Sequence, residues 1–184
     1  MKNKTLAVFA IGSLFLVSSC LDAEKKAHFR DIDSMTHKID SLESAFLNMP
    51  NDSFKIVKEK ALALEKEVKT YFMEDTVDHA FARKMNRLRG IRKDADFIAM
   101  RRAFLDTIFV FQRQQLEILK ADIANGAGKR DAYHGYVDAE QENMSVISYA
   151  FKDYKLRFET MRSEYYDVAD EIRARIQPFK DKAQ

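Results

Sequence analysis

The chain is poor in the residues that interrupt helices. It has 5 glycines and 2 prolines among 184 residues, whereas turns are built mainly from glycine, proline and small polar side chains. Good helix formers such as alanine, leucine, lysine, glutamate and arginine are plentiful instead. With 46% hydrophobic residues, the chain can bury a core of ordinary size. The composition therefore predicts an all-α protein with few connections.

The chain also lacks the groups on which most catalytic sites depend. Its one cysteine, Cys20, has no partner for a disulfide and belongs to no Cys-x-x-Cys-His haem motif. No serine is flanked by glycines as in a nucleophile elbow, and no glycine-rich loop is available to hold a phosphate. We therefore expect no catalytic residue and a protein that is not an enzyme.

Nitrogen ligands for a metal are scarce as well. Glu24 and His28 lie one helical turn apart, as do Asp33 and His37, which makes a metal site conceivable. A carboxylate-bridged di-iron bundle needs paired Glu-x-x-His motifs, however, and this sequence has none. We expect no metal and no cofactor, and exposed histidines, with a haem held non-covalently by His and Met as an alternative. The histidines in question are His28, His37, His79 and His134.

The N-terminus has the three parts of an export signal. Lys2 and Lys4 are followed by an apolar run from Leu6 to Val17, and two small residues then precede Cys20. A helix that spans a bilayer needs about 20 apolar residues, so this run is too short to cross a membrane. It has the length of the hydrophobic region of a signal peptide.

The segment Val17-Ser18-Ser19-Cys20 resembles the lipobox of bacterial lipoproteins. The resemblance implies that residues 1–19 are removed, that the cysteine receives acyl chains, and that 20–22 form a lipidated tether. Several acyl chains hold a protein stably at a membrane. We expect a location in the cell envelope, preferably the outer membrane, because the first acid, Asp22, follows one place later than in the inner-membrane retention pattern. An ordinary signal peptide with an incidental cysteine is the alternative.

The charge of the mature chain argues against nucleic-acid binding. The sequence has 31 basic and 29 acidic side chains, and the excess of two consists of Lys2 and Lys4 in the segment predicted to be removed. That leaves 29 of each sign. Proteins that bind nucleic acid through its phosphates need a basic surface, so nucleic acid is not an expected partner.

From residue 23 onward, apolar residues recur at alternating steps of four and three, as in helices packed along a seam. The repeat predicts four helical segments, at 23–48, 53–73, from the mid-70s to about 124, and 130–176, within a single domain over 23–184. Pro50 to Ser53 and Asn125 to Gly128 separate them, and Pro178 marks the far end. The expected architecture is an antiparallel helical bundle, with two short helices and a long coiled-coil-like hairpin.

Charged residues predict the register of that hairpin. The third segment carries a basic run that lies opposite three acids of the fourth when the chain is folded back at residue 127. We expect the two sets to pair across the seam, although an anionic lipid or another polyanion is an alternative partner. The basic run consists of Arg83, Lys84, Arg87, Arg89, Arg92 and Lys93, and the acids are Asp167, Asp170 and Glu171.

A second seven-residue stripe runs along the third segment, away from its main seam. It consists of Phe97, Phe104, Phe111 and Ile118. The simpler interpretation is that the first two helices dock on this stripe and bury it. The alternative is an exposed surface for a second copy or another protein.

These observations favour a membrane-anchored envelope lipoprotein that acts as a non-enzymatic protein-binding or scaffolding module. The stripe is the candidate contact surface, and the partner is another protein or a second copy. A holdase-like periplasmic chaperone and a bundle that carries a small ligand or haem are the alternatives.

Overall fold

The computed structural model describes residues 4–50, 53–74 and 78–183, with side chains from residue 23 onward. Over these ranges the protein is all-α, as predicted, and contains no strand. The helices are α1 (Lys4–Leu47), α2 (Ser53–Tyr71), α3 (His79–Asn125) and α4 (Tyr133–Lys182), and a 3-10 turn at Arg130–Ala132 precedes α4. Within the described residues, no helix has a stretch long and apolar enough to cross a bilayer. The side chain of Cys20 lies outside the described part.

The predicted breaks between helices are confirmed. After α1, the Ser53 hydroxyl donates a hydrogen bond to the Pro50 carbonyl, with 2.7 Å between the oxygens. After α3, Gly126 and Gly128 adopt positive φ angles of 68° and 79°, which residues other than glycine rarely adopt. The Ala127 amide reaches back to the Asp122 carbonyl at 2.9 Å, which is a hydrogen bond of the Schellman helix ending.

Pro178 does not end the last helix, contrary to the prediction. Helix α4 continues to Lys182 with this proline inside it, although proline cannot donate the backbone hydrogen bond at its own position. Packing holds the final turn in place. The Phe179 ring lies 5.2 Å from Phe72, which is stacked on Phe81 at 4.3 Å. Tertiary contacts here outweigh the loss of one helical hydrogen bond.

The chain divides into two compact units, one of Met1–Glu43 with Ile108–Ile147 and the other of Ser44–Thr107 with Ser148–Gln184. We call them unit 1 and unit 2. The prediction of a single domain over 23–184 stays a prediction, because α3 and α4 contribute to both units. Within each unit the helices pack along seams of apolar residues spaced by four and three, as the repeat predicts. The α3 residues that follow this spacing are buried, namely Phe81, Leu88, Ile91, Ala95, Ile98, Leu105, Phe109, Leu116, Leu119 and Ile123.

In unit 1, α1 runs antiparallel to α3. The Lys25 ammonium donates to the Ala124 carbonyl at 2.7 Å, and further along α1 the Asp33 carboxylate pairs with Lys120. The Arg113 guanidinium lies 3.0 Å from Asp40 and also pairs with Glu43. These hydrogen bonds, above all that to Glu43, raise the pKa of Arg113 further above its usual value. Acids of α1 therefore neutralise both basic side chains that α3 contributes to unit 1.

In unit 2, three of the six side chains of the predicted basic run form ion pairs, although not all with the acids expected. Lys84 pairs with Glu171 across α3 and α4, as predicted. Arg87 instead lies 3.8 Å from Glu164, and Arg92 lies 3.4 Å from the α2 residue Glu65.

The expected role of Asp170 is not confirmed. It pairs with Arg173 within its own helix at 3.0 Å. A seven-residue repeat predicts which turns of two helices face each other. It does not predict which of several acids on neighbouring turns a basic side chain will pair with, because that depends on the length and direction of the side chains.

Candidate protein-binding groove

The phenylalanine stripe of α3 is not covered by α1 and α2, so the expected burial is wrong. Phe104 is 44%, Phe111 52% and Ile118 54% exposed, while Phe97 is half-buried. In unit 1, α1 packs against the edge of α3 that carries Arg113 and Lys120. In unit 2, α2 contacts α3 at Arg92 and Asp96. Helical spacing places these contact positions on another side of α3 from the stripe.

In unit 1, Ile118 of the stripe lines the α3 wall of a groove, and α4 forms the other wall. Ile118 lies two helical turns beyond Phe111 on the α3 wall. On the α4 wall, Tyr136 is 51% exposed, and Ala139 follows it by three residues. The groove is lined by Gln115, Ile118, Leu119, Asp122, Tyr136, Ala139 and Glu140.

Helical spacing extends the α4 wall by two more residues. Asn143 and Val146 follow Tyr136 by seven and ten residues, which places them on the same side of the helix. Val146 is 61% exposed. Tyr136, Val146 and Asn143 were missed in the sequence, although a signal was present, because the pairs 136/143 and 139/146 repeat the seven-residue spacing of the α3 stripe. We call the surface formed by Phe111, Ile118, Tyr136 and Val146 the unit 1 groove.

The charges at the unit 1 groove are acidic. Asp122 is exposed on the α3 wall. On the α4 wall, Glu140 accepts hydrogen bonds from Gln112 at 2.6 Å and from Asn143 at 3.2 Å. The basic residues that α3 contributes to this unit are turned towards α1 and paired there. An apolar groove with an acidic edge results.

Comparison with family models, with curated proteins and with solved structures yields no match to this chain.

The stripe residues of unit 2 lie in a different electrostatic setting. The Phe97 ring has the Arg101 guanidinium 5.3 Å from its centroid and the Arg157 guanidinium 5.1 Å from it, distances at which a cation is attracted to the π face. Arg157 also donates to both oxygens of Asp153, at 3.0 and 2.9 Å. We call Phe97, Arg101 and Phe104 the unit 2 face. It is aromatic and basic, whereas the unit 1 groove is apolar and acidic.

A cavity of about 290 Å³ lies at the α3–α4 turn of unit 1, and several of its lining residues contact the end of α3. Lys25 donates to a carbonyl in the last turn of α3, where cations are favoured by the helix dipole. The Arg130 guanidinium lies against Gly126. The Tyr133 hydroxyl donates to the Ala127 carbonyl at 2.6 Å. These contacts close the end of α3.

The same end of unit 1 brings together two histidines that are far apart in the sequence. The rings of His28 and His134 are 6.3 Å apart. His28 is buried, contrary to the expectation that all histidines are exposed, and lies 3.9 Å from Glu24. His134 lies 3.4 Å from Asp138. Among the described residues, no group of three ligands is placed to hold a metal ion.

Proposed function

We propose that the protein is a lipid-anchored envelope lipoprotein that binds another polypeptide chain through the unit 1 groove. The observation that carries the proposal is the exposure of four large apolar side chains, half or more of each, along two adjacent helices. Ile118 and Tyr136 face each other across the groove, and exposed apolar side chains that cluster in this way mark binding surfaces more often than scattered ones do. Anchoring through Cys20 would hold this groove near a membrane surface. The proposed role is binding rather than catalysis.

The shape of the groove favours a helix as the bound element. Two antiparallel helices leave a furrow into which the side chains of a third can pack. The apolar residues Phe111 and Ile118 lie about two turns apart on the α3 wall, and Tyr136 and Val146 about three turns apart on the α4 wall. Such rows can receive an amphipathic helix that carries apolar residues at similar intervals. The small side chain of Ala139 leaves room for such residues in the furrow.

Site-specific photocrosslinking in cells tests the proposal. A photoreactive residue at position 118 or 136 of the lipid-anchored chain should give discrete crosslinked products. Position 56 is a matched control, because Ile56 is 45% exposed on α2 and lies outside the groove. Strong products at 118 and 136, with few at 56, would support binding through the groove. Equal products at all three positions, or none, would contradict it. A continuous smear of clients at 118 and 136 would favour the holdase alternative.

A further inference from the structure

We infer that the unit 1 groove binds the unit 2 face of a second copy of this chain. The inference rests on the proposed function, because it names the partner of the same groove. It is carried by electrostatic and apolar complementarity between two exposed surfaces. Each surface is defined within its own unit, and the contact joins one copy to another.

The unit 1 groove carries an uncompensated acid. Asp122 is exposed on the α3 wall, and its carboxylate forms no ion pair with any residue that the structure describes. The other acid of the lining, Glu140, is held by Gln112 and Asn143. Neither amide carries a charge, so the groove keeps a net negative edge. A cationic group on the partner would complement it.

The unit 2 face carries an uncompensated cation. The Arg101 guanidinium lies over the Phe97 ring, and its Nε is buried without a hydrogen-bond partner. No acid in the described part of the chain forms an ion pair with it. Arg157, on the other side of the same ring, is paired with Asp153. Arg101 is therefore the cation of this face that an acid on a partner would complement.

The apolar spacing of the two surfaces also agrees. Phe97 and Phe104 are seven residues apart on the unit 2 face, and Phe111 and Ile118 are seven apart on the groove. Seven residues of helix rise by about 10 Å, so two apolar contacts can form at once along antiparallel or parallel helices. Arg101 lies between the two phenylalanines, at the spacing of four and three that keeps all three residues on one side of α3.

The expected contact is small, and the proposed anchor would strengthen it. A face of three side chains buries less than the roughly 800 Å² per partner of a stable complex, so the isolated contact is weak. Tethering at a membrane raises the effective concentration of one copy around another. Self-association of the free chain should therefore appear only at high protein concentration.

Charge exchange tests the inference on the full mature chain, residues 20–184 with Cys20→Ser to keep it soluble. Sedimentation equilibrium should show reversible self-association. Asp122→Arg should weaken it at least about tenfold, because the groove then repels Arg101. Arg101→Glu should do the same. The variant that carries both substitutions, and an equal mixture of the two single variants, should recover association.

Matched controls separate the specific contact from a general charge effect. Glu117→Arg changes an exposed acid of α3 outside the groove lining, and Arg89→Glu changes an exposed arginine of α3 in unit 2. Both should leave association unchanged. Because Arg101 is partly buried, circular dichroism melts of every variant check that each one is folded before its association is compared.

The inference and the proposed function can fail separately. A wild-type chain that stays monomeric at every concentration would overturn the inference, as would controls that weaken association equally or a double variant that does not recover. Crosslinks from positions 118 and 136 to a different protein, with a monomeric chain, would overturn only the inference. A monomeric chain with no crosslinks at either position would overturn both.

Discussion

At the scale of single residues, neighbouring positions on α3 differ sharply in what they contribute to stability. Leu116 is completely buried in unit 1, whereas Ile118, two residues later, is 54% exposed. Burial of a side chain of this size stabilises the fold because its apolar surface is removed from water. Truncating a buried side chain also leaves a cavity that its neighbours do not fill. The two residues therefore form a matched pair for mutation.

We expect Leu116→Ala to lower the free energy of unfolding by about 2 to 5 kcal/mol, as other large-to-small substitutions in cores do. Ile118→Ala should change it by no more than about 0.5 kcal/mol, because its side chain is largely in water already. Urea unfolding followed by circular dichroism measures both. If Ile118→Ala proved as destabilising as Leu116→Ala, the stripe would be covered in solution and the proposed groove would not exist.

A second prediction at this scale concerns Cys20. The export pattern and the lipobox-like segment coincide with the only cysteine of the sequence, so we expect this sulfur to carry the acyl chains of the anchor. Metabolic labelling with palmitate should mark the wild-type protein, and Cys20→Ser should abolish the label and release the protein from membranes. Serine preserves the size of the side chain but lacks the sulfur that is acylated. Labelling that persists in the variant would contradict lipidation at this position.

At the scale of secondary-structure elements, some helix ends could be predicted from the sequence and others could not. Gly126 and Gly128 correctly predicted the end of α3, because few other residues accept their positive φ. Pro178 led to a wrong prediction, because α4 continues through it. A proline penalty is local, whereas the ring contacts of Phe179 that retain the last turn of α4 come from residues about a hundred positions away.

The N-terminus of α3 gives a pH-dependent prediction. Asp78 Oδ1 accepts hydrogen bonds from the amides of Phe81 at 3.0 Å and Ala80 at 2.8 Å, as an N-cap does. The bond from Phe81 lowers the pKa of Asp78 most; that from Ala80 and the nearby Arg175 and Lys84 lower it further, against the opposing effect of burial. Its folded pKa is thus below its unfolded value, near 3.9.

The sign of the effect follows from linkage. The cap stabilises the folded protein fully at a pH above the unfolded pKa of Asp78. This stabilisation is lost as the pH falls through the lower pKa that Asp78 has in the folded protein. Asp78→Ala should therefore melt below wild type at neutral pH, and the difference should narrow in acid as the Asp78 carboxylate is protonated. Asp78→Asn keeps an acceptor oxygen without the charge and should fall between them at neutral pH. A difference that stays constant down to pH 2 would show that the carboxylate is not the cap.

At the scale of the whole molecule, the expectation of a metal-free protein can be tested directly. His28 and His134 are the one histidine pair in contact within the described residues, and no third ligand joins them in a binding geometry. Two ligands alone bind metals weakly compared with the four of a structural site. We expect EDTA to leave the melting temperature unchanged and elemental analysis of the dialysed protein to find less than one metal per chain. A lower melting temperature after chelation would overturn this expectation.

The buried seams were predictable from the sequence because they depend on local periodicity. The apolar residues of α3 and α4 that repeat at steps of four and three are buried from Phe81 to Ile172, since a helix with one such seam has a single favourable way to face its neighbours. The breaks at Pro50 and Gly126 were predictable for the same reason, as they express backbone preferences of the residues themselves.

Which side of α3 stays open could not be predicted in this way. Helix α3 carries two apolar stripes, and periodicity alone does not say which of them a short neighbouring helix will cover. The exposed side depends on how α1 and α2 dock. Their acids pair with Arg113, Lys120 and Arg92, which lie on a side of α3 away from the phenylalanine stripe. The contact between His28 and His134 likewise depends on tertiary packing, because these residues are more than a hundred positions apart in the sequence. The helices, their buried seams and the breaks at Pro50 and Gly126 follow from neighbours along the chain, so they can be read from local sequence. The end of α4 beyond Pro178 and the choice of which apolar surface stays exposed depend on where distant helices dock.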